Sequence, residues 1–441
     1  LTGPGGLIYT LYDLGLKVGH SVRNIQDVVN VANDDMQTKT SLIESRLITG
    51  DAELFGQFQQ RLEARCVRNH VGNYLQMRIG NQDARRVKFG NSALLQEPNI
   101  KNGCGGLRDY QNLLWMTHFK YGAHTLEQLE AQGMVRPRNR RQLEVGYDFL
   151  LRTRNELHLQ TKRLADDIPK ALQPKIAWQL GYKDRSPARR LEAFMRDLYT
   201  HMRTIHLITR MVERRLALRP KPARRLPSLR SFFGGGKKTE TLDGFNIIDG
   251  ELVPISPRIF KDQPRRLMRV FLHAQQRGLE FHPDLTQLLR DNVSLVDDDF
   301  VHDTENHETF LEILNQRGNV APALRAMHEV DLLGRYIPEF GRMTCLVQHE
   351  FFHAYAADEH TLVCLEKLDQ VWDAAQPPFA HYTHILQDID LPYLLYLALF
   401  LHDAGKGMGS GDHVKDGTVV YQKVGERLGL TPRRLARLKF L

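Results

Sequence analysis

The sequence has few cysteines, no long apolar run and no repeat, and each absence removes a class of protein. Only four cysteines occur in 441 residues, Cys66, Cys104, Cys345 and Cys364, and none forms a CxxC pair. That argues against a disulfide framework and fits a reducing cytoplasm. The longest apolar run, Leu391–Leu401, is too short to span a bilayer and leads into charge. Residues 1–20 lack the basic start and apolar core of a signal peptide. No internal repeat at a fixed period stands out. These absences leave a soluble, cytoplasmic protein with no membrane partner. With 42% hydrophobic and 25% charged residues, the chain also has too much core-forming material for wholesale disorder. It begins at Leu1 rather than Met and ends at Leu441 within the basic amphipathic stretch "TPRRLARLKFL", so both ends read as cut.

Length suggests about three domains. Residues 6–23 read as a helix followed by a short strand, "KVGHSV", and 25–78 as helical. "RRVKFGNSALLQEPNIKNGCGGLRDY", 85–110, is loop-rich and leads into a helix beginning near Leu107. From there to 215 the pattern is amphipathic and helical. Residues 216–262 break it with prolines, "GGGKK" and "DGFNIIDGELVPISP", which reads as a linker with a small hairpin. Helical periodicity resumes at about 263, and a further unit starts at about 345. The fold class is mainly α, with a helical-bundle middle.

The net charge of +8 is concentrated in 185–238. A basic surface can attract nucleic acid, but the favoured reading is a solvated helix face followed by a basic linker, with nucleic acid not a partner.

Chemistry-bearing residues gather in 345–417. "HEFFH", 349–353, matches the H-E-x-x-H zinc-protease helix, in which two histidines one turn apart bind zinc. The metzincin continuation would need Gly at 356 and His at 359, where this chain has Ala356 and Glu359. Glu366 would serve only a loose gluzincin arrangement. Surface or packing histidines are the favoured reading of His349 and His353, and a zinc protease stands as the second alternative. The sharper pattern is His360 with His402-Asp403 at the end of "LPYLLYLALFL". A helix bearing one His, then an apolar helix ending in His-Asp, resembles the HD metallohydrolases. The resemblance makes His360, His402 and Asp403 ligands of a divalent metal that activates water and stabilises phosphoryl charge. Mg²⁺ is expected, with Mn²⁺ the other choice. Lys406 in "DAGKG" and His413 in "DHVKDG" would assist catalysis. A closing Asp ligand is not identifiable and is expected beyond Leu441.

"YDLGLKVGHSVRN", "EPNIKNGCGGLRDYQNLLWM", "FHAYAADEHTL" and "LHDAGKG" together resemble the bifunctional PII uridylyltransferase/uridylyl-removing family. "GGLRDYQNLLW" is the most specific piece. The resemblance implies a nucleotidyltransferase that moves UMP from UTP to a tyrosine of the nitrogen-signalling protein PII. It also implies an all-α HD domain that hydrolyses the product, and glutamine as an effector acting through ACT domains missing here. It divides the chain into the distal part of an α/β nucleotidyltransferase domain (1–90), a helical domain (91–215), the linker with a small β element (216–262), a helical connector (263–344) and an incomplete HD domain (345–441). The Gly-Ser and Asp-x-Asp motif that holds Mg²⁺ for transfer is absent, so UMP transfer by this chain is doubtful.

The same resemblance places His20, Ser21 and Arg23 on a strand facing the nucleotide. It offers Asp35 as a third carboxylate, although a helix-starting acid is an equal reading. Gly103, Gly105 and Gly106 would let backbone N–H groups approach a phosphate, with Arg108 neutralising charge and Asp109 binding beside it or holding Arg108. The runner-up is a tRNA nucleotidyltransferase-like HD protein, which shares the domain order and would use the basic region on phosphates. A non-catalytic scaffold is the remaining reading.

Overall fold

The computed structural model of the chain describes residues 4–217, 240–347, 355–408 and 413–441, with the backbone alone at 4–5, 408 and 413–414. The chain forms two compact units, one of residues 1–80 and 114–124, the other of 81–113 and 125–441.

The first unit is made of helices joined by loops, with no strand among its described residues. It contains α1 (Pro4–Asp13), α2 (Ile25–Asp34), α3 (Met36–Ile43), α4 (Ala52–Leu62), the start of α5 (Val71–Lys88) and the end of α6 (Leu107–Tyr121). Capping side chains set three of the starts. Asn24 caps α2, Asp35 caps α3 and Asp51 caps α4, each accepting from N–H groups of the first turn. Val29, Ala32, Leu62 and Cys66 form one small core. Tyr74 stacks on Phe119 at 3.5 Å between ring centroids in a second. The strand expected at "KVGHSV" is absent, as is the α/β character expected of 1–90. An extended segment becomes a strand only with a ladder partner, and residues 16–24 have none among the described residues.

The second unit opens with the loop 89–106 between α5 and α6, then α7 (Leu126–Ala131), α8 (Pro137–Thr161), α9 (Gln173–Gln179) and α10 (Pro187–Ala217). The small β element is a meander of β1 (Glu240–Leu242), β2 (Phe245–Ile248) and β3 (Glu251–Pro254), with β4 (Glu280–Phe281) added parallel to β3. Both hairpins turn on Asp-Gly. Asp243, Gly244, Asp249 and Gly250 all have positive φ, the left-handed pair that a two-residue hairpin loop requires.

Helices follow to the end: α11 (Ile259–Asp262), α12 (Arg266–Arg277), α13 (Pro283–Asn292), α14 (Asp298–His302), α15 (Thr304–Leu314), α16 (Ala321–Glu329), α17 (Leu332–Tyr336) and α18 (Pro338–Gly341), then α19 (Ala357–Trp372), α20 (Ala380–Gln387), α21 (Pro392–Leu401), α22 (His413–Arg427) and α23 (Pro432–Phe440). A single core runs from Phe245 and Leu252 of the meander to Leu438 of α23. Helix α21 lies inside it, with Tyr396, Leu397, Phe400 and Leu401 wholly buried, which accounts for its unbroken apolar run.

Near its start α10 is the solvated surface its charge suggested, with Arg189 and Arg196 exposed, but its C-terminal half is ion-paired. Arg203 pairs with Asp331, Arg210 with Glu329, Arg214 with Glu251 and Glu280, and Arg215 with Asp284, all within 3.0 Å. These arginines are matched to acids of 251–331 rather than arrayed for phosphates. The rest of the basic stretch, 218–239, lies outside the described residues. No helix among the described residues is long and apolar enough to cross a membrane.

Candidate metal centre

Helix α19 brings His360 to the site in its first turn, and buried acids pin that turn. Asp358, wholly buried, accepts from the Cys345 N–H at 3.1 Å and lies 3.2 Å from His328 Nε2. Glu359 is held by Arg325 at 3.1 Å. His402 caps the C-terminus of α21, the buried helix. Its Nδ1 is 2.6 Å from the Leu399 carbonyl oxygen. That carbonyl can only accept, so Nδ1 carries the proton and the Nε2 lone pair points away from α21.

The donors converge. The rings of His360 and His402 lie 5.6 Å apart. His402 Nε2 is 3.4 Å from Asp403 Oδ2. Asp403 is buried, and its Oδ1 is paired to Lys406 Nζ at 2.8 Å. One ligand atom each from His360, Cys364 and His402 fall within 4.8 Å of one another. Burial, then the Asp403 carboxylate, push the Cys364 thiol above its ordinary pKa. A cavity of about 20 Å³, room for about one water, adjoins the site between His360, Asp403, Lys406, Tyr199 and Gln96. Two imidazoles and a thiol are a donor set that suits a divalent ion, and the Asp403 carboxylate adjoins the second imidazole.

The structure thus brings together His360, His402, Asp403 and Lys406. Cys364 was missed, although His-x-x-x-Cys on a helix puts both side chains on one face. The backbone of His413 begins α22, and its side chain lies outside the described residues, as does "HEFFH". Glu359 and Glu366, at positions a zinc-protease pattern would call upon, both pair with Arg325.

The remaining candidates are not among the residues of this centre. Ser21 and Arg23 line a broad groove in the first unit with Asp51, Phe55 and Phe58, about 1310 Å³ in volume. His20 is exposed and is not among the residues that line it. Asp35 fills the helix-starting role, accepting from the Gln37 and Thr38 N–H groups and the Thr38 hydroxyl, which holds its carboxyl below the ordinary value.

Gly103, Gly105 and Gly106 are buried, and a Cβ on Gly103 would stand 2.6 Å from the Asn99 carbonyl oxygen. Backbone packing therefore accounts for these glycines without a phosphate. Arg108 follows them in the first turn of α6. Asp109 is wholly buried, paired with Arg85 and Arg86, and accepts from the Gly105 N–H at 2.8 Å. Burial would raise its carboxyl, but His206, Arg86 and Arg85 together hold it well below the carboxylate range. Arg86 also pairs with buried Glu213 at 3.1 Å.

Comparison with known proteins agrees with the motif reading. Residues 73–213 match the family described as GlnD PII-uridylyltransferase, and 245–336 that described as the uridylyltransferase GlnD third domain. A bifunctional uridylyltransferase/uridylyl-removing enzyme of Azospirillum brasilense is 32% identical over 439 residues, 99% of this chain and 46% of that protein. One of Ruegeria pomeroyi is 33% identical over 429 residues, 96% of this chain and 46% of that protein. The chain spans about half the length of these curated relatives. Matched in two successive segments by that family and along nearly its whole length by those relatives, the chain belongs to the GlnD uridylyltransferase family.

Proposed function

We propose that this chain is part of a cytoplasmic enzyme that uridylylates PII on tyrosine from UTP and removes the UMP by metal-dependent phosphodiester hydrolysis. The histidine centre is the hydrolytic site in this reading. The observation that carries it is the nearness of His360 to His402, and of His402 to Asp403, on a chain whose relatives are named for both activities.

His360, His402 through Nε2, and Asp403 would hold a divalent ion, and on that set alone Mg²⁺ or Mn²⁺ is the choice. When bound, the ion supplies Lewis acidity at the phosphoryl group and a more acidic water. The chain's own residues do the rest. The Leu399 carbonyl fixes the His402 tautomer. Buried α21 holds His402 and Asp403 rigidly. Lys406 orients Asp403 and carries an ammonium able to meet charge on a phosphoryl oxygen. His413, at the start of α22, is proposed to assist. For the transfer half, the groove with Ser21 and Arg23 is the proposed nucleotide side, with Arg108 and Asp109 proposed to support it. Glutamine is the proposed effector of the whole enzyme. For the tRNA alternative, Arg203, Arg210, Arg214 and Arg215 of α10 are engaged with acids rather than offered to phosphates.

The test is release of UMP from uridylylated PII in the presence of Mn²⁺ or Mg²⁺. The enzyme of which this chain is part should release UMP, and its His402→Ala and Asp403→Ala variants should not. Release by both variants at the unaltered rate would sink the assignment.

A further inference from the structure

We propose that Cys364 is a ligand of this centre beside His360, His402 and Asp403, and that the centre selects a thiolate-accepting ion such as Zn²⁺ or Fe²⁺ over Mg²⁺. The inference rests on the reading of the histidine centre as a metal site, and it changes what that site binds.

The distances fit. A tetrahedral ion with a sulfur ligand at about 2.3 Å and an imidazole nitrogen at about 2.05 Å sets the two donors about 3.6 Å apart. Cys364 Sγ lies 3.6 Å from His360 Nε2 and 4.0 Å from its Nδ1, so the separation suits a shared ion once the His360 ring turns its Nε2 lone pair toward it. For an imidazole and a carboxylate the same geometry gives about 3.4 Å, and His402 Nε2 lies 3.4 Å from Asp403 Oδ2. His360 and Cys364 are one helical turn apart on α19, so a rigid element fixes their separation, while His402 comes from another helix to the same point.

A thiol–imidazole hydrogen bond would explain the 3.6 Å separation alone. It would not explain a second nitrogen donor within 4.8 Å of both, with its tautomer set by a backbone carbonyl. Of the four cysteines, Cys66, Cys104 and Cys345 are buried, and only Cys364 joins such a cluster among the described residues.

The chemistry then selects the ion. Mg²⁺ demands near-octahedral oxygen ligands, whereas thiolate and imidazole suit zinc and iron. On binding, the S–H bond is replaced by a sulfur–metal bond and the proton passes to solvent.

Cobalt(II) is the probe, since it occupies such sites and reports its ligands by absorption. The metal-free chain is titrated with Co²⁺. The expected result is visible ligand-field absorption together with a near-ultraviolet thiolate-to-cobalt charge-transfer band at one ion per chain. Cys364→Ser should keep the ligand-field absorption and lose the band. Should that variant fail to fold, the unaltered chain still decides: Cys364 should react with iodoacetamide when metal-free and be protected by Zn²⁺, as mapped on peptides. Ligand-field absorption without the charge-transfer band, or no protection of Cys364, overturns the thiolate ligand and leaves the metal-site reading standing. No cobalt absorption at all overturns both.

Discussion

Gly105 runs its backbone so close to Met202 of α10 that a Cβ would overlap the Met202 carbonyl oxygen, and its φ of +71° is one that side chains rarely adopt. The same loop is tied at Leu95, whose carbonyl accepts from the Tyr199 hydroxyl at 2.7 Å, and at Leu94, whose carbonyl accepts from the Ala356 N–H at 3.0 Å. The loop thus joins α10 to the residue that starts the His360 helix. Gly105→Ala should cost about 3 kcal/mol through overpacking and strain. Thermal unfolding checks it, and an unchanged melting temperature would refute the close-packing account.

Asp109→Asn should cost about 3 kcal/mol at neutral pH, because it removes a buried charge from two arginines. The pH dependence has a definite sign. The Asp109 pKa is depressed on folding from an ordinary 3.8, so its contribution is present above that value and is lost as pH falls through the lower, folded one. Denaturant unfolding of both proteins should therefore show a gap that persists from neutral pH into the carboxylate range, with buried Glu213, pushed up to about 7, titrating in the same network. A gap that closed by pH 6 would contradict the assignment.

His118 should make the first unit sensitive to mild acid. Burial, then the neighbouring His124 ring, lower its pKa from 6.5 to about 4. Its Nδ1 is buried without a hydrogen-bond partner among the described residues. The unfolded chain takes up the proton first, so this stabilisation is complete above 6.5 and is lost as pH falls toward 4. The expected loss is about 1–2 kcal/mol after allowance for partial exposure. Stability measured across that range should fall less steeply in His118→Gln, and identical slopes would remove His118 as the cause.

Lys406→Met should lower UMP release from uridylylated PII by roughly 100-fold, the effect of losing one charge-stabilising donor. Metal binding should persist, since Asp403 then lacks a competing cation. A variant with the parent rate would restrict Lys406 to orienting Asp403.

What the sequence determined by itself was local. Asp-Gly at 243–244 and 249–250 dictates two tight hairpins, because few other pairs accept positive φ twice. Adjacency places His402 beside Asp403, and the apolar run before them marks a buried helix. Tertiary structure decided the rest. Cys364 is one of four unremarkable cysteines until α21 carries His402 to it. The arginines of the C-terminal half of α10 read as a solvated face until their acids arrive from 251–331. Gly103, Gly105 and Gly106 read as a phosphate loop until neighbouring backbone, including that of α10, is found in the space a side chain would need. Short-range steric rules act within a few residues and can be read along the chain. Charge matching and close packing depend on partners remote in sequence, and only folding supplies them.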